Sequence, residues 1–320
     1  ESVYGMDSTS ALSMENCPDE IIILGGGVIG VEFACAFQAF GCKTTILEAL
    51  PQLIPPLDKE LSSYLSRCLR KQGIQIHLNT KVVQIMDGAD QATVLAVEQD
   101  RTQRQFVTKH ILVALGRRPN LEPLQLERVG VKTENGHIVV NQFLQTSVPN
   151  IYAIGDCVKG STLAHTASAQ GECAAEHAMG MGRPYQPAAV PACVYAFPEV
   201  AFAGLTEEQA KERNIPYHVG RFPFSANGRS LILNQGEGMV KVLVGDELNE
   251  ILGVHIIGPN ATEMIAEAVL AIEMEGTSDE VIEAIHAHPT ASEALREAFL
   301  ASESRAIHVL NRKKEGVSVE

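Results

Sequence analysis

One stretch constrains this chain more than any other: Gly25-Gly26-Gly27-Val28-Ile29-Gly30, between the run Glu20-Ile21-Ile22-Ile23-Leu24 and a helix-periodic segment ending near Phe40-Gly41. A short continuous apolar run predicts a buried strand, and Gly41 is a natural helix stop. Gly25 permits a tight turn, Gly27 lets a phosphate-bearing ligand approach the backbone, and Gly30 lets the helix lie close on the strand. The free N–H groups at the start of that helix would face the phosphates. Lys43 to Leu47 is the next strand, with Glu48 at its end, 18 residues past Gly30. A carboxylate there accepts hydrogen bonds from a ribose 2′-OH and repels a 2′-phosphate, which predicts NAD over NADP. A tight turn in another doubly wound sheet would share the glycines but has no use for the distal Glu.

Further on, Pro51 to Pro56 predicts a loop, and Asp58 to Gln72 a helix stopped by Gly73. Strands follow at Ile74 to Leu78, Lys81 to Met86, Thr93 to Glu98 and His110 to Leu115, with a turn at Asp87-Gly88. This is a βαβ unit with an inserted β-meander. Arg117-Arg118-Pro119-Asn120 breaks the pattern, and an Ala-rich helix is expected from about His165 to Met179. After Pro187 come strands at Glu199 to Gly204, Tyr217 to Phe224, Met239 to Val244 and Glu250 to Ile257, with one helix among them. Two helices, Thr262 to Glu275 and Thr290 to Ser302, close the chain. The predicted class is α/β: a Rossmann-like domain with an inserted meander over residues 1–117, a short central module over 118–187, and an α+β domain over 188–320.

Thirty-nine acidic against 25 basic residues give a net charge of −14, which argues against nucleic acid or an anionic membrane as partner. The longest apolar stretch, Ile21 to Val31, is far short of the ~20 residues a membrane span needs. Seven cysteines, none in C-x-x-C spacing, predict neither a zinc site nor a thioredoxin-type motif; unpaired thiols suit a reducing cytoplasm. Cys35 and Cys42 read as small core residues. Glu1 is not an initiator and no leader follows it, so a processed product or a piece of something longer is expected.

Two further signals carry chemistry. In His286-Ala287-His288-Pro289-Thr290-Ala291-Ser292-Glu293, Thr290 and Glu293 have the spacing of a capping box. The same Glu293 carboxylate can reach back to His288, hold its tautomer and make it a usable general base. Gly155-Asp156 follows an apolar strand, where an Asp can bind a hydroxylated cofactor chain or merely form a turn.

Taken together, the glycine run with Val31-Glu32, Gly116-Arg117-Arg118-Pro119-Asn120, Tyr152-Ala153-Ile154-Gly155-Asp156 and His286-Ala287-His288-Pro289-Thr290 resemble the pyridine-nucleotide disulfide oxidoreductases. Phe222-Pro223-Phe224-Ser225-Ala226-Asn227-Gly228-Arg229 and Gly253-Val254-His255-Ile256-Ile257-Gly258-Pro259 point to the members that oxidise dihydrolipoamide. Glutathione reductases resemble it too, but usually carry basic residues where Glu48 stands and lack the doubled His286/His288. The resemblance implies that Gly25, Gly27, Gly30, Glu48, Val82 and Gly116 contact NAD, with Glu32 near the nicotinamide–flavin stack. It implies that Asp156 binds the FAD ribityl chain, with Thr162, Leu163, Ala164 and His165 beside the isoalloxazine, making the central module a partial FAD site. His288 would be the acid/base and Glu293 its orienting partner, contributed across a homodimer through the C-terminal domain. Electrons would pass from dihydrolipoamide through a disulfide and FAD to NAD⁺, the dithiol arriving on a lipoyl-bearing protein of a 2-oxo acid dehydrogenase or glycine-cleavage complex.

The departure from the family is equally specific. Its chains open with an FAD-binding domain carrying a second glycine fingerprint and a C-x₄-C pair, and here no two cysteines stand five positions apart. The expectation is a chain lacking that domain, doubtful as an FAD binder and inactive on dihydrolipoamide alone. The alternatives are a non-catalytic NAD-binding dimerisation module and one half of a split enzyme.

Overall fold

The computed structural model describes residues 2–311; the outermost residues of the first and third predicted domains lie outside them. The chain opens with β1 (Gly5–Met6), α1 (Ser8–Leu12), β2 (Glu20–Leu24), α2 (Val28–Ala39), β3 (Lys43–Leu47), α3 (Lys59–Lys71) and β4 (Gln75–His77). The meander is β5 (Thr80–Asp87), β6 (Ala92–Glu98) and β7 (Gln103–Thr108), after which β8 (Ile111–Val113) returns to the first sheet. That sheet is parallel throughout, in the order β1-β8-β2-β3-β4. Strands β2, β3 and the two helices match the sequence pattern closely. The segment Gln103–Thr108, polar in its first half and without clean alternation, becomes a strand because β6 offers it a full antiparallel partner.

Residues 116–190 form a separate compact unit. It holds β9 (Thr133–Glu134), β10 (His137–Ile138) and α4 (Ala164–Ala178), around small clusters such as Val131, Ile138, Ala153 and Val158.

The remaining elements are β11 (Ala192–Val194), β12 (Glu199–Gly204), α5 (Glu207–Glu212), β13 (Tyr217–Pro223), α6 (Gly228–Ile232), β14 (Met239–Gly245), β15 (Ile251–Gly258), α7 (Ala261–Glu273), α8 (Ser278–Glu283) and α9 (Glu293–Ser302). The five strands make one antiparallel sheet, ordered β11-β12-β15-β14-β13. Two short helices, α5 and α6, stand among the strands where the sequence shows one, and α8 stands between the two closing helices; each of the three has an Asn or Thr N-cap side chain bonded to a first-turn N–H. Helix α9 lies directly on β13: a Cβ on Gly220 would sit 1.9 Å from the Ala298 carbonyl oxygen.

Residues 1–115 and 191–320 cluster as one unit, and the reason is a shared core. Ile23, Val31, Leu61 and Leu65 from the parallel sheet and its helices join Val194, Val200 and Ile257 of the antiparallel sheet in one buried cluster. Each such side chain contributes about 1.5–3 kcal/mol by leaving water.

Candidate active site

The glycine turn is dictated by close approach. Gly25 turns at φ +107°, and a Cβ there would lie 2.4 Å from the Ala114 carbonyl oxygen; one on Gly30 would lie 2.0 Å from that of Gly25. Gly27 is different. It caps α2 in ordinary extended backbone (φ −71°, ψ −177°) with no side-chain capping bond, and a Cβ on it would meet nothing within 4 Å. The fold demands the first two glycines. It leaves the third facing open space at a helix N-terminus, as a phosphate cradle requires.

Glu48 is buried at the end of β3, with Oε2 accepting from the Gly26 N–H at 2.5 Å and Oε1 from Leu50 N–H at 2.7 Å. A carboxylate has about four acceptor positions, so two remain unused by these N–H groups. Below the turn, the Ile54 N–H donates to the Gly26 carbonyl at 2.8 Å, and a Cβ on Gly26 would come 2.6 Å from Leu53 Cδ2. Neither Leu53 nor Ile54 had a sequence signal beyond lying in a Pro-bounded loop. In α2, Glu32 accepts from the Tyr195 N–H at 2.9 Å. Val82 is half-buried beside a β-bulge in β5 and packs on the Ile22–Leu24 cluster.

In the unit spanning 116–190, Gly116 has φ +117° with nothing within 4 Å of its would-be Cβ. Asp156 sits in the short 3₁₀ turn Gly155–Cys157, its Oδ2 3.6 Å from Arg117 Nη2. The turn is pinned by the Gly155 N–H donating to buried Gln170 Oε1 at 2.7 Å. Leu163 caps α4 without a side-chain bond, while Thr162, Ala164 and His165 are exposed around that helix start.

On the antiparallel sheet, His288 Nδ1 lies 2.9 Å from Glu293 Oε1, and Glu293 Oε2 accepts from the Thr290 N–H at 2.8 Å. An ionised carboxylate only accepts, so Nδ1 carries a proton, and in the neutral imidazole Nε2 is the acceptor. Burial pushes the Glu293 carboxyl up, but the Thr290 N–H and His288 outweigh it and hold it below the usual range. Of the capping box expected at Thr290, the half made by the Glu293 carboxylate on the Thr290 N–H is present and the hydroxyl half is not. The Thr290 hydroxyl donates to the Ala287 carbonyl instead, and α9 starts three residues later, at Glu293. The pair opens on a cavity of about 250 Å³, also lined by Asn227, His286, Glu297 and His308. His286 Nε2 bonds Glu267 at 2.8 Å, which raises its pKa, and His308 Nδ1 bonds Glu297 at 3.0 Å. Asn227, whose amide donates to the Thr290 carbonyl at 2.9 Å, had its signal in the Asn-Gly dipeptide; Glu297, four residues after Glu293, had one only in helical spacing. Among the described residues no group of three or more His, Cys, Asp or Glu is set to hold a metal ion.

The glycine-turned parallel sheet that shares its core with an antiparallel sheet matches the fold of flavoprotein disulfide reductases. The chain belongs to the pyridine nucleotide-disulphide oxidoreductase family: the family profile of that name matches residues 1–171, and its dimerisation domain matches residues 190–299. It is 42% identical over 305 residues to the dihydrolipoyl dehydrogenase of Bacillus subtilis (strain 168), covering 95% of this chain and 64% of that one. To the dihydrolipoyl dehydrogenase of Thermus scotoductus it is 43% identical over 309 residues, 96% of this chain and 67% of the relative. Among solved structures, the HOCl-induced flavoprotein disulfide reductase RclA from Escherichia coli superposes with a TM-score of 0.85 at 30% identity, over 93% of this chain and 68% of that one. The chain therefore spans about two-thirds of the length of the relatives it matches. No helix among the described residues is long and apolar enough to cross a membrane.

Proposed function

We propose that this chain supplies the NAD-binding, flavin-contacting and acid/base portion of an NAD-dependent dihydrolipoamide dehydrogenase acting as a homodimer. The observation that carries this is His288, tethered through Nδ1–H to Glu293 with Nε2 bare at a cavity, on the same chain as a glycine turn ending in Glu48. The open space at Gly27 fits a pyrophosphate, and the two unused acceptor positions of Glu48 fit a ribose diol. The half-exposed Asp156 and the uncapped start of α4 fit the ribityl and ring end of FAD. When bound, FAD supplies the two-electron carrier between a dithiol and NAD⁺.

The residues of the chain do the rest. The α2 N-terminus and Gly27 take the pyrophosphate, Glu48 the ribose, Val82 flanks the dinucleotide, and Glu32 stands near the nicotinamide. Asp156 holds ribityl hydroxyls, with Thr162, Leu163, Ala164 and His165 beside the ring. His288 Nε2 takes the proton of the attacking thiol, and Glu293 stabilises the resulting imidazolium. The reactive cysteine pair comes from outside these 320 residues, since no two of the seven cysteines have the required spacing. The dithiol substrate is a lipoyl group on a protein of a 2-oxo acid dehydrogenase or glycine-cleavage complex, in a reducing cytoplasm.

The test is an NADH titration and a visible spectrum of the purified chain at verified mass, then mixing with a separately made FAD domain. NADH binding without turnover, and turnover on mixing, is the expected result. No NADH binding, or dihydrolipoamide turnover by the chain alone, overturns the reading. Binding that mixing never converts into turnover favours a non-catalytic dimerisation module.

A further inference from the structure

Resting on that reading of the dinucleotide site, we propose that Lys241 in the antiparallel sheet is a positioning residue for the glycine turn in the parallel one. Lys241 lies on β14 with only 1% of its side chain exposed, and its Nζ contacts both Asp58 oxygens at 2.9 Å. Glu207 Oε2 at 2.5 Å and Glu60 Oε2 at 3.0 Å complete its shell. Arg221 in turn donates through Nε to both Glu60 oxygens at 3.0 Å. Such a charge is tolerated in a core only with its partners in place.

Asp58 is the latch point. Its Oδ1 also caps α3 by accepting the Glu60 N–H at 3.0 Å, so its position fixes where the loop from Leu50 ends. Within that loop Leu53, Ile54 and Leu57 are fully buried, and the Ser62 hydroxyl donates to the Leu53 carbonyl at 2.7 Å. Ile54 holds a left-handed φ of +49°, a conformation that a β-branched residue keeps only when its surroundings impose it. Its N–H is the group that bonds the Gly26 carbonyl, while Leu50 N–H and Gly26 N–H share the Glu48 carboxylate. A continuous path therefore runs from Lys241 to Asp58, through the adjoining Leu57, whose N–H donates to the Ile54 carbonyl at 2.8 Å, and on through Ile54 and Gly26 to Glu48. The antiparallel sheet sets the geometry of the NAD loop without touching its ligand.

The test compares the wild-type chain with Asp58→Asn, which keeps a good N-cap but loses the charge clamp, and with Lys241→Met. A stability control is Leu295→Ala, fully buried in α9 and outside the latch. NADH affinity is expected to fall about tenfold in Asp58→Asn, within the range such couplings carry. Leu295→Ala should lower Tm yet leave affinity within about twofold. Amide exchange at Gly26, Leu50 and Ile54 should quicken in Asp58→Asn and not in the control. Unchanged affinity and exchange in a folded Asp58→Asn overturns the proposal, as does an equal affinity loss in Leu295→Ala. Should Lys241→Met not fold, Asp58→Asn still decides. Should the wild type fail to bind NADH, the functional reading falls, and amide exchange alone decides the coupling.

Discussion

Replacing Gly27 with Ala separates a ligand-facing glycine from the structural ones beside it. At φ −71° and ψ −177° an Ala is unstrained, and its Cβ would touch no protein atom within 4 Å. Stiffening the unfolded chain gains about 0.4–1 kcal/mol. The poorer N-cap loses about 0.5–1 kcal/mol, the gap between Gly and Ala at that position. The net is within about 0.5 kcal/mol, or about 2 °C in Tm for a chain of this size. A bound pyrophosphate, however, would meet that methyl and retreat from the α2 N–H groups. Losing one charge-assisted hydrogen bond is worth about 1.5–3 kcal/mol, so NADH should bind about 10- to 100-fold more weakly. Gly30→Ala puts its methyl 2.0 Å from a backbone oxygen that cannot swing away, at a cost of about 3 kcal/mol or more. NADH fluorescence titration and a melting curve on both variants provide the assay. A folded Gly27→Ala with wild-type affinity, or one that loses stability as Gly30→Ala does, would refute the division of roles.

Glu48→Ala strips the Gly26 and Leu50 N–H groups of their acceptor. It should lower stability by about 1–3 kcal/mol and weaken NADH without improving NADPH, measured by melting and paired titrations. Glu293→Ala releases the His288 ring and the Thr290 N–H together, so nitrogen-detected NMR should show His288 as mixed tautomers in place of the Nδ1–H form, with faster exchange at Thr290. Acid should destabilise the fold through His255, which is buried with Nε2–H on the Leu205 carbonyl at 2.9 Å and Nδ1 without a partner. Burial holds its pKa below the usual 6.5, so the unfolded chain binds the proton first, and stability present above that pH is lost as pH falls through it. His286 has the opposite sign: its raised pKa adds stability below 6.5 that is lost as pH rises through the folded value. Urea midpoints at pH 7.5 and 5.5 should therefore fall less in His255→Gln than in the wild type, and an equal fall would remove His255 from the account.

Much of the candidate site was legible because its determinants are close in sequence. The run from Glu20 to Leu24, the glycines at 25, 27 and 30, and the five-residue interval from His288 to Glu293 specify a strand, a turn and a reachable partner through neighbouring atoms alone. Of the Thr290 capping box only one half forms, the Glu293 carboxylate accepting the Thr290 N–H, because α9 starts at Glu293 itself and leaves Thr290 outside the helix with its hydroxyl on the Ala287 carbonyl. Met239-Val240-Lys241-Val242-Leu243-Val244 reads as a strand, in which a lysine ordinarily faces water. That lysine is buried instead, because Asp58 arrives from 183 positions away with its charge already placed by the cap of α3. What the sequence determined alone was the local geometry: turn, strand ends, and a His–Glu pair five residues apart where a loop enters α9. Only the tertiary structure decided which charges were buried and which lone pairs of Glu48 were already occupied, since the desolvation of a charge depends on atoms that the chain order keeps apart.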